Sequence, residues 1–161
     1  MRDLARISER FKSINLVPYR TDLRDQLETL AVEMHAQSAF SQLELDVNKS
    51  LRHWETADRS GAYFRIAERG GTVFGAVYGF VATTFFSHDL FGHVKGIWVL
   101  KEHQGSAAFV RLLTDFEQHA KAMGARFVFL DQTTALDIER SMNLFEGCGY
   151  RLIGVNTVKE L

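Results

Sequence analysis

Five consecutive residues, Gln104, Gly105, Ser106, Ala107 and Ala108, carry the clearest chemistry in the sequence. They follow an apolar run, Gly-Ile-Trp-Val-Leu, and precede a long stretch with helical periodicity. A strand that turns into a helix this way aims the free amides of the helix N-terminus at a cleft. Those amides and the helix dipole attract anions, phosphates above all. Gly105 permits close backbone approach by a ligand. Other chemistries lack their residues. There is no Gly-x-Gly-x-x-Gly followed by a suitably placed acid, no Gly-Lys-Ser/Thr and no Gly-x-Ser-x-Gly. His88, His93, His103 and His119 match no metal-ligand spacing and read as scattered surface histidines. The Asp/Glu pairs read as solvated helix faces.

The elements that position this turn follow from periodicity. Residues 2–12 suit a short polar helix, set apart in 1–13 as an N-terminal extension. Ile14 to Arg20 is extended, and Pro18 keeps it out of a sheet centre. Thr21 caps a helix on Leu23, Leu27, Leu30, Ala31 and Met34 that runs to about Ser38. A second helix spans Asp46 to Thr56, capped by Asp46, with Leu51 and Trp54 inward. Tyr63–Glu68 and Thr72–Phe86 are strands joined by Arg69-Gly70-Gly71, a hairpin signal. Ser87–Gly92 turns the chain into a strand from His93 to Leu100.

A helix from about Gln104 to Met123 then carries an apolar stripe of Phe109, Leu112, Leu113, Phe116, Ala120 and Met123, with Gly124 ending it. Phe109, on that stripe, is expected to pack inward, away from any ligand. Phe127–Leu130 is continuously apolar, as in a strand covered on both faces. The last helix, Asp137–Glu146, turns Ile138, Ser141, Met142, Leu144 and Phe145 inward, and Gly147-Cys148-Gly149 stops it. Tyr150–Val158 is a final strand. The 161 residues therefore form one α/β (α+β) domain around a mixed sheet, with a β-α-β unit at its centre.

Composition narrows the classes. A net charge of −1 offers no general pull toward nucleic acid or membrane. The thirteen phenylalanines have no interleaved basic patch, so they read as core. No run reaches the roughly 18 apolar residues of a membrane span. The charged N-terminus is unlike a signal peptide. The single cysteine, Cys148, in an apolar setting, suits a reducing cytoplasm and an inert thiol. Phe85, Phe86, Leu90 and Phe91 are either core, the preferred reading, or an exposed patch at a homodimer contact.

Three segments together resemble the GNAT superfamily of acyl-CoA-dependent N-acetyltransferases. Val-Pro-Tyr-Arg-Thr-Asp-Leu resembles its opening strand and first helix. Ile-Trp-Val-Leu-Lys-Glu-His-Gln-Gly-Ser-Ala-Ala resembles its central strand and pyrophosphate loop, and Asn-Leu-Phe-Glu-Gly-Cys-Gly-Tyr its C-terminal motif. Met34-His35-Ala36-Gln37-Ser38 with the closing Gly-Val-Asn-Thr-Val-Lys-Glu-Leu is similar to phage- and prophage-type members. Against the family's Arg/Gln-x-x-Gly-x-Gly/Ala loop, Gln104 fits, Ala107 replaces the middle glycine and Phe109 the last small residue.

The resemblance implies acetyl transfer from acetyl-CoA to a primary amine by direct attack in a ternary complex, with no metal. It implies that Gln104 to Ala108 hold the pyrophosphate. Trp98, Val99 and Leu100 would line the pantetheine gap with backbone groups. A base must take the proton of the amine, and His35, Asp131 and Glu33 are the candidates. Phe145 stands where the family often has a tyrosine that protonates the leaving thiolate. A phenylalanine cannot do so, which keeps a non-catalytic acyl-CoA-binding module and a phage structural or interaction protein as alternatives. The acceptor site would be built from the first two helices and the 87–92 loop.

Overall fold

The computed structural model describes residues 14–131, 138–154 and 159. The expected helix at 2–12 and residues 155–158 of the expected last strand lie outside them. The sheet has five strands in sequence order. These are β1 (Asn15–Val17), β2 (Ala62–Arg69), β3 (Thr72–Thr84), β4 (Ser87–Val99) and β5 (Phe127–Leu130). Neighbours are antiparallel except β4 and β5, which are parallel.

Gly70 and Gly71 join β2 to β3 with φ of +59° and +81°, the left-handed pair of a type I′ turn. Glu68 caps that turn by accepting from the Gly71 amide at 2.9 Å. Helix α1 (Arg24–Ala36) leads from the first strand, and α2 (Val47–Glu55) follows it. Asp46 caps α2 as expected, its Oδ1 accepting from the Lys49 amide at 2.9 Å. Thr21 does not cap α1. It opens a 3-10 turn, Thr21–Leu23, and its side chain makes no cap hydrogen bond.

Helix α3 (Ala108–Ala122) links β4 to β5. It starts at Ala108, not Gln104, because the Ser106 amide turns back to the His103 carbonyl and Gly105 has φ +81°. It ends in a Schellman motif, with Gly124 donating to Lys121 and Ala125 to Ala120. Helix α4 (Ile138–Gly147) ends the same way, Gly149 donating to Glu146 and Tyr150 to Phe145.

Each sheet face has its own core. Leu112, Leu113 and Phe116 of α3 bury Val77, Val94 and Val99. Leu27 and Leu30 of α1, with Leu51 and Trp54 of α2, bury Phe64, Ile66 and Trp98. Trp54 stacks on Phe64 with centroids 5.2 Å apart.

Several expectations are corrected. Ser87–Gly92 is not a turn but the first half of β4, and the hairpin turns at Phe85-Phe86. Those two phenylalanines are not core, being 98 % and 76 % exposed. Met123 leaves the α3 stripe for solvent because the helix ends before it. Phe127 is exposed, so β5 is not covered along its length. Ile138 and Leu144 are exposed, and α4 buries no residue fully. Residues 151–154 form no strand.

Candidate active site

β4 pairs with β5 only from Phe91 to Val94. Its register with β3 slips at that point. Gly96 faces Tyr78 while Val94 faces Gly79, which leaves Lys95 as an extra, unpaired residue. Such a bulge bends its strand and raises the local twist. Beyond it, Gly96 to Val99 pair with β3 alone, and the side toward β5 is open.

A cleft of about 720 Å³ fills the opening. Its floor is β4 from Lys95 to Val99. One end meets Gln104, Gly105 and Ser106 before α3, with Phe109 and Phe145 as walls. The other end runs under α1 and α2 to His35, Phe40 and Trp54. Two chemically different ends are thus joined through a split strand pair.

The turn before α3 can receive an anion. Gly105 is exposed and a Cβ there would meet nothing within 4 Å. The Ser106 hydroxyl accepts from the Ala108 amide at 3.3 Å. The first helical bond runs from the Arg111 amide to the Ala107 carbonyl, so the amides of the first turn point out of the helix without an intrahelical acceptor. Gln104 Nε2 donates to the Val99 carbonyl at 3.4 Å, fastening the turn to the end of β4.

Of the residues singled out from sequence, His35, Asp131, Trp98, Val99, Gln104, Gly105, Ser106 and Phe145 all line this cleft. Leu100, Ala107 and Ala108 do not; their side chains are buried in the two cores. The Leu100 amide is also spent, donating to the Phe74 carbonyl at 2.9 Å. Antiparallel pairing alternates, so Val99 and Ile97, not Leu100, turn their backbone groups to the open side. Phe109 does not point away from the cleft. It forms part of the wall and stacks on Phe145 with centroids 6.0 Å apart.

The proton-accepting candidates stand in different settings. His35 Nε2 is buried with no hydrogen-bond partner. Asp131, just past β5, binds His93 Nε2 at 2.8 Å and Lys95 Nζ at 3.4 Å. Glu33 is a tie between elements. Its Oε1 accepts from the Lys101 amide at 2.6 Å and the Trp98 indole at 3.3 Å, holding α1 to the end of β4.

His93 escaped the sequence reading. It is no surface histidine but sits half-buried among Phe80, Phe91 and Phe129, with Asp131 as its partner. The two residues lie 38 positions apart, and only the parallel pairing of β4 with β5 joins them. His103 and His119 are also packed, on Phe74 and Tyr63 respectively. Burial pushes the His119 imidazole below its usual range, with Arg65 adding to the effect. Burial raises the Cys148 thiol, with Glu117 adding to it, which leaves little thiolate. Ser141, expected inward on the last helix, does reach the cleft, one turn before Phe145.

Among the described residues no group of three His, Cys, Asp or Glu is placed to hold a metal. No helix among them is long and apolar enough to cross a membrane.

No curated protein matches the chain. Solved structures do. An acetyltransferase of Trypanosoma brucei superposes with a TM-score of 0.70 at 19% identity, over 92% of this chain and 99% of that one. Glucosamine-6-phosphate N-acetyltransferase of Arabidopsis thaliana gives 0.72 at 16%, over 91% and 97%. An aminoglycoside acetyltransferase from an uncultured soil metagenomic sample gives 0.68 at 16%, over 92% and 99%. At these identities the likeness is one of fold. The sequence itself matches the model of the acetyltransferase (GNAT) family over residues 24–150, a span that runs from the start of α1 through the split strands to the end of α4. The bulged β4, the glycine turn and the C-terminal helix all fall inside that span, and the chain belongs to the GNAT family.

Proposed function

We propose that the protein transfers an acetyl group from acetyl-CoA to a primary amine, both bound at once in the split between β4 and β5. The observation that carries this is the cleft's continuity from the Gly105 turn, through the open side of β4, to His35 and Trp54. Acetyl-CoA supplies the activated acyl thioester. Gln104, Gly105 and Ser106 fit its pyrophosphate, because that turn leaves space beside a helix N-terminus whose first-turn amides have no intrahelical acceptor. Amides of Ile97 and Val99 on the open side of β4 are placed to hold its amide-bearing arm and to stabilise charge on the carbonyl oxygen.

The amine must lose a proton. His35 Nε2, unpartnered in the cleft, is the acceptor we assign. Asp131 is already engaged by His93 and Lys95. Phe145 donates nothing. A thiol of ordinary pKa, about 8.5, leaves as thiolate without a donor, though less readily.

Thermal shift with acetyl-CoA, CoA and NAD tests the donor half. Acetyl-CoA and CoA, but not NAD, should raise the melting temperature. Thiol release across an amine panel tests the transfer. CoA binding with no thiol release would favour a non-catalytic acyl-CoA-binding module, which the stacked Phe109–Phe145 pair accommodates. His35→Gln should lower the rate of thiol release about a hundredfold, whereas Asp131→Asn should lower it less.

A further inference from the structure

The acceptor end of the cleft has a composition that selects among amines. Its walls are Met34 of α1, Phe40 and Leu45 of the segment between α1 and α2, Trp54 of α2 and Tyr78 of β3. Phe40 is 53 % exposed, so the mouth itself is apolar. The two serine hydroxyls there are already used. Ser38 Oγ donates to the His35 carbonyl and accepts from the Phe40 amide, and Ser50 Oγ donates to the Asp46 carbonyl.

Charge points the same way. Asp131 is the one carboxylate lining the cleft among the described residues, and His93 and Lys95 hold it. Among the described residues, a second or third ammonium on a ligand therefore meets only a carboxylate that is already engaged. An aromatic or aliphatic body is instead removed from water against the apolar wall.

Resting on the acyl-transfer reading above, we infer that the acceptor is a primary monoamine with an aromatic or aliphatic body, not a polyamine or aminoglycoside. His35, one helical turn past Ala31 on the face that lines the same wall, takes the end that bears the amine. The apolar wall takes the rest.

The protein carries its own reporter. Its two tryptophans, Trp54 and Trp98, both line the cleft. Intrinsic fluorescence, titrated with amine in the absence of acetyl-CoA, therefore reads amine binding separately from turnover. Phenethylamine should change the emission saturably and release thiol from acetyl-CoA, while spermidine and kanamycin do neither at matched ionic strength. Saturation by spermidine or kanamycin at lower concentration than phenethylamine would overturn the inference. So would the absence of any amine-dependent change while acetyl-CoA still raises the melting temperature; that result spares the donor half of the proposed function. Tighter binding of hexanoyl-CoA than of acetyl-CoA, with exclusion of phenethylamine, would mean that the apolar wall serves the acyl chain, and the inference fails. If acetyl-CoA gives no shift, the proposed function fails, and the fluorescence ranking of the amines still decides the ligand class.

Discussion

Replacing Gly96 by valine separates the cleft from the fold. Gly96 lies in β4 just past the bulge, paired to Tyr78. A Cβ built on it approaches only Met34 Sδ, at 4.0 Å, an ordinary contact. Its φ is not in the left-handed region, so a side chain brings no backbone strain. A strand valine is favoured over glycine by about 0.5–1 kcal/mol. For a chain of this size that is a rise of about 2 °C in melting temperature. The isopropyl group, however, occupies the cleft floor between the donor and acceptor ends. An amine that loses the space of two methylenes forfeits about 1.6 kcal/mol, at about 0.8 kcal/mol each. The Michaelis constant for phenethylamine should then rise about 15-fold. Thiol-release kinetics give the constant and calorimetry the melting temperature. A melting temperature that falls by 10 °C would show that the space before Met34 is packed. An unchanged Michaelis constant in a stable variant would show that the acceptor does not pass Gly96. Either result refutes the reasoning.

Gly75→Ala, on the neighbouring strand, should do the reverse: its Cβ would sit 2.2 Å from the Trp98 carbonyl oxygen and 2.9 Å from Val99 Cα, both backbone atoms. The expected loss is about 3 kcal/mol in urea unfolding. Glu68 is buried and held below its ordinary range by the Gly71 amide first and Asn15 second. The folded chain thus binds this proton less readily than the unfolded one, so the contribution is present above the usual carboxylate value of about 4.3 and is lost as pH falls through the lower folded value; Glu68→Gln should flatten that limb of a stability–pH curve. Deleting Lys95 removes the bulge without turning any flanking side chain to the other face. The variant should fold, with the melting temperature near that of the parent, yet lose the acetyl-CoA shift because β4 can stay beside β5; a retained shift would show that the bulge is not what opens the cleft.

Much of the fold was legible because it is written locally. The Gly70-Gly71 turn, the Asp46 cap and the α3 stripe each depend on residues a few positions apart. Elements whose partners are remote were misread. Phe85 and Phe86 look like core by composition, yet they stand at a hairpin tip where β3 and β4 run beyond the last pairing with β2 at Phe80. Ile138 and Leu144 have helical spacing, but spacing says nothing about how closely the sheet approaches that helix. The start of α3 was misplaced because Gln104 to Ala107 form a turn set by Gly105 and His103, and helix propensity does not register it.

The site was legible where a motif spans one turn and illegible where it depends on register. Up to Val94, even-numbered residues of β4 face α3, and past Lys95 the odd-numbered Ile97 and Val99 do. Counting alternation straight through β4 therefore sends Gly96 to Val99 to the wrong face. The inserted residue is what puts Gly96 and Trp98 under α1, on the same face as His93, while Ile97 and Val99 stay on the α3 side. It also ends the pairing with β5 where Asp131 emerges to meet His93 and Lys95. Nothing in the local sequence marks Lys95 as unpaired, because a bulge is decided by the length of strand on both sides of the ladder. The cleft, the pairing of Asp131 and the choice of backbone groups on its open side thus follow from one residue of register, which is why the glycine turn before α3 could be read from five residues and the rest of the site could not.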